Sequence, residues 1–162
     1  MSAGHDTPDQ RFMQEALQLA RQGIRQGHGG PFGAVVVYGG KIVGRGWNQV
    51  VQQLDPTAHA EILAIREACR RLSRFHLEDA VLYTTCEPCP MCLSAAYWAR
   101  IPTLVYAADA RDAAAIGFDD RRIKQFLQQP LSKGKIQVRR TLQQEALEIF
   151  RQWEQDPGKV RY

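Results

Sequence analysis

Two short runs carry the residues able to do chemistry: Thr57-Ala58-His59-Ala60-Glu61 and Cys86-Glu87-Pro88-Cys89-Pro90-Met91-Cys92. Cys89 and Cys92 stand three apart where a β-rich run gives way to a helical one, so on the first turn of that helix both sulfurs share a face and can grip one ion. The positive end of the helix dipole favours the thiolate form that zinc requires. His59 comes a helix and a strand earlier, far enough for the chain to return it opposite the cysteines as a third donor.

Three protein donors on tetrahedral zinc leave one position for water, whose pKa the ion lowers from 15.7 to roughly 7. Glu61 stands two residues after His59. In the first turn of a helix both side chains can lean past the helix end, which puts the carboxylate beside the ion without binding it. A carboxylate there can take a proton from water and pass it to a ring nitrogen or a departing amine. His-x-Glu together with Pro-Cys-x-x-Cys is the established pattern of zinc deaminases, so the expected reaction is hydrolytic deamination.

Other uses of the same residues have to be weighed. Cys86 could join His59, Cys89 and Cys92 in a closed structural zinc site, as in a binding module, with Glu61 a solvated carboxylate. Cys86 ends a β run and Pro88 separates it from the pair, which suits a small buried residue better. An iron–sulfur motif needs another cysteine soon after Cys92, where Ala95, Ala96 and Tyr97 stand. Cys69 reads as packing, and His5, His28 and His76 as surface or loop histidines. Tyr97 and Trp98 read by default as core aromatics.

The elements that hold these residues follow from periodicity and punctuation. Thr7-Pro8-Asp9-Gln10 has capping-box order and opens a helix over about 8–25. Residues 32–38 and 41–47 are β-rich and flank Gly39-Gly40, a two-residue hairpin. Residues 48–53 read as a loop, after which Asp55-Pro56 opens a second helix carrying Ile62, Leu63, Ile65 and Leu72. A strand over 81–84, a helix over about 90–100 and a strand over 103–107 imply a parallel crossover. An irregular stretch over 108–120 leads to a short helix near 121–128, a β-like run at 136–141, and a final helix burying Leu142, Ala146, Ile149, Phe150 and Trp153. The class is α/β, a mixed sheet covered by helices.

The chain has 162 residues, 44% hydrophobic and 23% charged, the proportions of an ordinary globular domain. No apolar run is long enough to span a membrane, and residues 1–10 have no secretion pattern. With 21 Lys and Arg against 17 Asp and Glu, the net charge is +4, too mild and too interspersed to demand a nucleic-acid partner. Four cysteines, three of them clustered, suit a metal site in a cytoplasmic protein and not a disulfide framework.

Taken with Gly29-Gly30-Pro31-Phe32-Gly33-Ala34, Asn48, the run 55–61, the run 83–92, Tyr97-Trp98-Ala99-Arg100, Gly117-Phe118-Asp119-Asp120 and Tyr162, the motifs make a nearly end-to-end resemblance. The chain resembles the cytidine deaminase-like superfamily and, within it, the small guanine deaminases. That resemblance implies a three-layer α/β/α fold with a mixed central sheet, one catalytic domain over residues 1–155, a tail over 156–162, and a homodimer. It implies one zinc per subunit on His59, Cys89 and Cys92, with Glu61 as proton shuttle. It also implies that Phe32 and Trp98 contact a purine, Asn48 hydrogen-bonds it, and Asp120 and Tyr162 complete the pocket, with Tyr162 closing either its own site or the partner's. The substrate so implied is guanine, converted to xanthine and ammonia. Guanosine, cytosine, a triazine and adenosine in transfer RNA are the neighbouring alternatives.

Overall fold

A computed structural model describes residues 7–130, 133–134 and 136–161; His5 and Tyr162 lie outside them. Two compact units are present, one ending at Asp120 and one starting at Arg121.

The first unit is built on a four-stranded sheet ordered β2-β1-β3-β4. Strands β1 (Gly33–Tyr38) and β2 (Lys41–Trp47) form the expected hairpin, and β1 also pairs antiparallel with β3 (Ala80–Cys86). Strand β4 (Thr103–Ala108) runs parallel to β3, which makes the sheet mixed. Alternation along β1 sorts the core. Val35 and Val37 point with Tyr83 toward Phe12, Met13 and Leu19 of helix α1 (Pro8–Arg25). Ala34 and Val36 face the other way, onto Ala60, Ala64, Ile65 and Ala68 of helix α3 (Ala60–Leu72) and Ala96 of helix α4 (Pro90–Trp98). Helix, sheet, helix is the three-layer α/β/α arrangement expected.

The placing of α3 depends on small residues. A Cβ on Gly44 would come 2.1 Å from the Ala64 carbonyl oxygen, and one on Gly46 would come 2.0 Å from that of Ala60. The helix therefore lies directly on β2, with Ala60, Ala64 and Ala68 at the contact, and its first turn is fixed against the sheet. On the opposite face the Tyr83 hydroxyl donates to Asp9 at 2.6 Å, tying β3 to the start of α1. Thr7 and Gln10 form the reciprocal cap that their order suggests.

Several boundaries differ from the sequence reading. Residues 50–53 are not loop but a one-turn helix, α2 (Val50–Gln53), because the carbonyl of His28 receives the N–H groups of Val51 and Gln52. The next helix starts at Ala60 and not at Asp55-Pro56. Asp55 bonds its own turn instead, accepting from the backbone and hydroxyl of Thr57. The stretch after β4 contains helix α5 (Ala110–Ala115), capped by Asp109.

The second unit has helices α6 (Arg121–Leu127) and α7 (Gln143–Gln155). Residues 136–141 form no strand; Ile136 and Val138 are exposed and, among the described residues, no strand pairs with them, without which β propensity has little force. The expected burial along α7 is also absent: Leu142, Ala146, Ile149 and Trp153 are exposed, and Phe150 is 66% exposed. So small a unit cannot by itself cover an apolar helix face. Beyond α7, Lys159 Nζ bonds the carbonyl of Glu154, and the Arg161 guanidinium lies over the Trp153 ring at 5.8 Å.

Candidate active site

The site lies where α3 and α4 begin. His59 is the N-cap of α3 and Cys89 the N-cap of α4, and the two side chains meet, His59 Nδ1 facing Cys89 Sγ. Pro90 occupies the first position of α4, where its missing N–H costs nothing, and Cys92 follows in the first turn, fully buried. Strand β3 delivers Cys86 just before this turn, and the crossover brings Cys89 and Cys92 opposite His59.

His59 Nδ1 stands 3.7 Å from Cys89 Sγ and 3.5 Å from Cys92 Sγ. Ordinary zinc–sulfur and zinc–nitrogen bonds at a tetrahedral angle would separate those atoms by about 3.6 Å. The three donors are therefore spaced to hold zinc. Their protons are already shared in a way an ion can replace. Cys89 is pulled down to about 4 by its hydrogen bond from Cys92 and by His59, Cys92 is pushed up by sharing its proton with Cys89 and by burial, and His59 is raised by Cys89.

Among the described residues no fourth His, Cys, Asp or Glu joins this cluster. Cys86, the residue that a closed site would need, directs its Sγ to the Asp109 carbonyl 3.7 Å away. Burial and four nearby carboxylates, Glu61 first, hold its thiol protonated, pushed up to about 11.

Glu61 is only 6% exposed. Its Oε2 accepts from Cys92 Sγ at 3.4 Å and its Oε1 from the Thr84 hydroxyl at 3.3 Å. Burial raises its pKa above the ordinary carboxylate value, which brings the group closer to proton exchange at neutral pH. Thr84, fully buried on β3, is a contact that the sequence pattern did not single out, since both faces of this strand are covered and period-two alternation is lost.

Asn48 is 4% exposed, immediately after β2. Its Oδ1 accepts from the N–H groups of Gly30 at 3.1 Å and Val50 at 3.2 Å. Both lone pairs of that oxygen are used, so the amide offers Nδ2 and its hydrogens, and not a donor–acceptor pair. Phe32 is half-buried and meets Phe118 edge to face, ring centroids 4.9 Å apart. Phe118 turns back on itself after Gly117 and donates its N–H to the Ala113 carbonyl. Asp120 is half-buried, and its charge acts on Cys86.

Trp98 is placed differently. It is six residues beyond Cys92 on α4, a long way round the helix, and 68% exposed, on an open face shared with Leu93, Ser94 and Tyr97. The default expectation of buried aromatics at Tyr97 and Trp98 is not met.

The profile of the cytidine and deoxycytidylate deaminase zinc-binding region matches residues 6–108. The chain belongs to that family. It is 46% identical over 151 residues to a guanine deaminase of Bacillus subtilis, covering 93% of this chain and 97% of that protein. The crystal structure of guanine deaminase from Bacillus subtilis superposes with a TM-score of 0.90 at 45% identity, covering 94% of this chain and 97% of that one. A tRNA-specific adenosine deaminase of Haemophilus influenzae is 40% identical over 126 residues, 74% of this chain and 72% of that protein.

Proposed function

We propose that the protein is a zinc-dependent hydrolase that converts guanine and water to xanthine and ammonia. The observation that carries the reading is a buried carboxylate, Glu61, beside a three-donor cluster with no fourth protein donor among the described residues. His59, Cys89 and Cys92 hold the ion, which when bound supplies a Lewis acid that makes water nucleophilic near neutral pH. Glu61 accepts a proton from the attacking water as the C2–O bond forms and delivers it to a ring nitrogen of the base; it then takes the second proton from the new C2 hydroxyl and gives it to the departing amine as the C2–N bond breaks, so ammonia leaves and xanthine remains. The Thr84 hydroxyl holds one carboxylate oxygen, leaving the other toward the cluster.

Asn48 Nδ2 donates to an acceptor of the base, and Phe32, steadied by Phe118, provides a flat apolar wall. Asp120 would complete the edge of this pocket. Buried groups that pair with a particular hydrogen-bond pattern reject bases lacking it, since they would be left unpaired. The end-to-end match to a guanine deaminase supports this substrate over adenosine in transfer RNA, whose enzymes match a shorter part of the chain.

We further propose a homodimer, in a cytoplasmic setting that keeps the thiols reduced, with a role in purine breakdown. Residues 1–155 would serve one catalytic domain and 156–162 a tail that crosses to the partner, Tyr162 closing a pocket there. The open apolar faces of α4 and α7 support an unmet partner.

Ammonia release from guanine, guanosine, cytosine, cytidine, adenine, adenosine and a triazine by zinc-loaded protein tests the substrate. Guanine should give ammonia and xanthine in equal amounts; turnover of cytidine alone would overturn the reading.

A further inference from the structure

The loop before β1 and the end of β2 are joined by a hydrogen bond that the reaction does not use: the Trp47 indole Nε1–H donates to His28 Nδ1 at 2.9 Å. The two rings lie nearly in one plane, 22° apart, and meet edge to edge with centroids 6.1 Å apart. As an acceptor, Nδ1 of His28 carries no proton, which leaves the ring proton on Nε2. The indole is itself wedged: a Cβ on Gly23 would come 2.7 Å from Trp47 Cδ1, so the ring cannot swing toward α1. His28 is held from its other side, its carbonyl receiving the N–H groups of Val51 and Gln52 at 3.1 and 3.0 Å.

What this clasp holds is the segment lying against Asn48. A Cβ on Gly29 would sit 2.1 Å from Asn48 Oδ1, so the backbone there is pressed onto the carboxamide, and Gly30 donates to the same oxygen. Trp47 adjoins Asn48 in sequence, and His28 adjoins Gly29. One hydrogen bond therefore closes a ring through both segments.

We infer that Trp47 and His28 are positioning residues for Asn48: their hydrogen bond keeps the 28–30 loop on the Asn48 oxygen and so fixes which end of the carboxamide meets the substrate. The inference rests on the reading of Asn48 as a base-binding group. With the loop released, only the Val50 N–H still holds the Asn48 oxygen, and the carboxamide turns over more readily to set that oxygen against the substrate's acceptor, where two lone pairs repel. Base binding weakens while the zinc cluster and Glu61, on α3 and α4, keep their geometry.

The test uses full-length zinc-loaded protein carrying Trp47→Phe, His28→Leu or His28→Asn. Phenylalanine keeps a ring but removes the N–H; leucine removes the acceptor; the Asn oxygen can occupy the place of Nδ1 and accept. Trp47→Phe and His28→Leu should raise KM for guanine roughly three- to tenfold, the scale of one hydrogen bond, with kcat within about twofold and zinc content unchanged. His28→Asn should restore KM to near the parent value. In nitrogen-15 spectra the indole resonance missing from Trp47→Phe should move upfield in His28→Leu, and the Asn48 side-chain amide pair should shift in both. A KM unchanged in both variants, or a fall in kcat alone, overturns the inference, as does an Asn48 amide pair that stays in place. If the parent protein does not consume guanine, the substrate reading fails by itself, and the Asn48 resonances still decide the positioning role. Should Trp47→Phe not fold, the two His28 variants decide it.

Discussion

Among the described residues every buried core side chain belongs to the unit ending at Asp120, whereas in the unit starting at Arg121 the apolar face of α7 lies open. Both carry helical apolar patterns of similar quality in the sequence. The first unit closes its own core because β1 and β3 have a helix against each face, and the metal donors ride on the starts of two of those helices. Among its described residues the second has two α-helices and no sheet. The donor cluster is thus assembled within one chain, while the apolar face of α7 is left open.

The sharpest way to break this contrast is to remove a donor. Cys92→Ser, or chelation of the parent protein, should abolish turnover, with metal analysis showing loss of zinc and added zinc restoring only the chelated parent. Next comes Glu61→Gln, which keeps the donors. Its kcat should fall by about a hundredfold to ten-thousandfold with zinc still bound; loss of zinc instead would make Glu61 a ligand. Phe150→Asp addresses the other unit. It should weaken self-association roughly thirtyfold or more by analytical ultracentrifugation and lower activity in parallel, leaving the first unit folded.

A smaller effect is expected where the helix touches the sheet. Gly46→Ala puts a methyl against the Ala60 carbonyl and should cost about 1–3 kcal/mol in denaturant unfolding, with weaker zinc retention because His59 adjoins that contact. The mildest is on the α1 side. Burial and the hydrogen bond to Asp9 push the Tyr83 hydroxyl up to about 12, so its protonated form is favoured in the folded chain. That contribution is fully present below the ordinary tyrosine pKa of about 10 and is lost as pH rises toward 12. Tyr83→Phe should therefore flatten the alkaline fall in melting temperature while leaving zinc content alone.

Much of this was legible from the chain. The cap at Thr7, the hairpin at Gly39-Gly40 and the β3-α4-β4 crossover each have local signals, and the structure has all three. The spacing of Cys89 and Cys92 already implied a shared face. What escaped had nonlocal causes. Helix α2 forms because His28, far back in sequence, accepts its N–H groups. The His28–Trp47 bond and the Gly30–Asn48 bond also join segments about twenty residues apart, with no periodicity to announce them. The open face of α7 was misread for the converse reason: an apolar stripe says that something must cover it, and not whether this chain supplies the cover.

X-ray absorption at the zinc edge of the fully loaded protein tests the cluster itself. The account predicts two sulfur neighbours near 2.3 Å, one imidazole nitrogen and one light donor that an inhibitor or base can exchange. Three sulfurs, or four protein donors that no small molecule displaces, would contradict it.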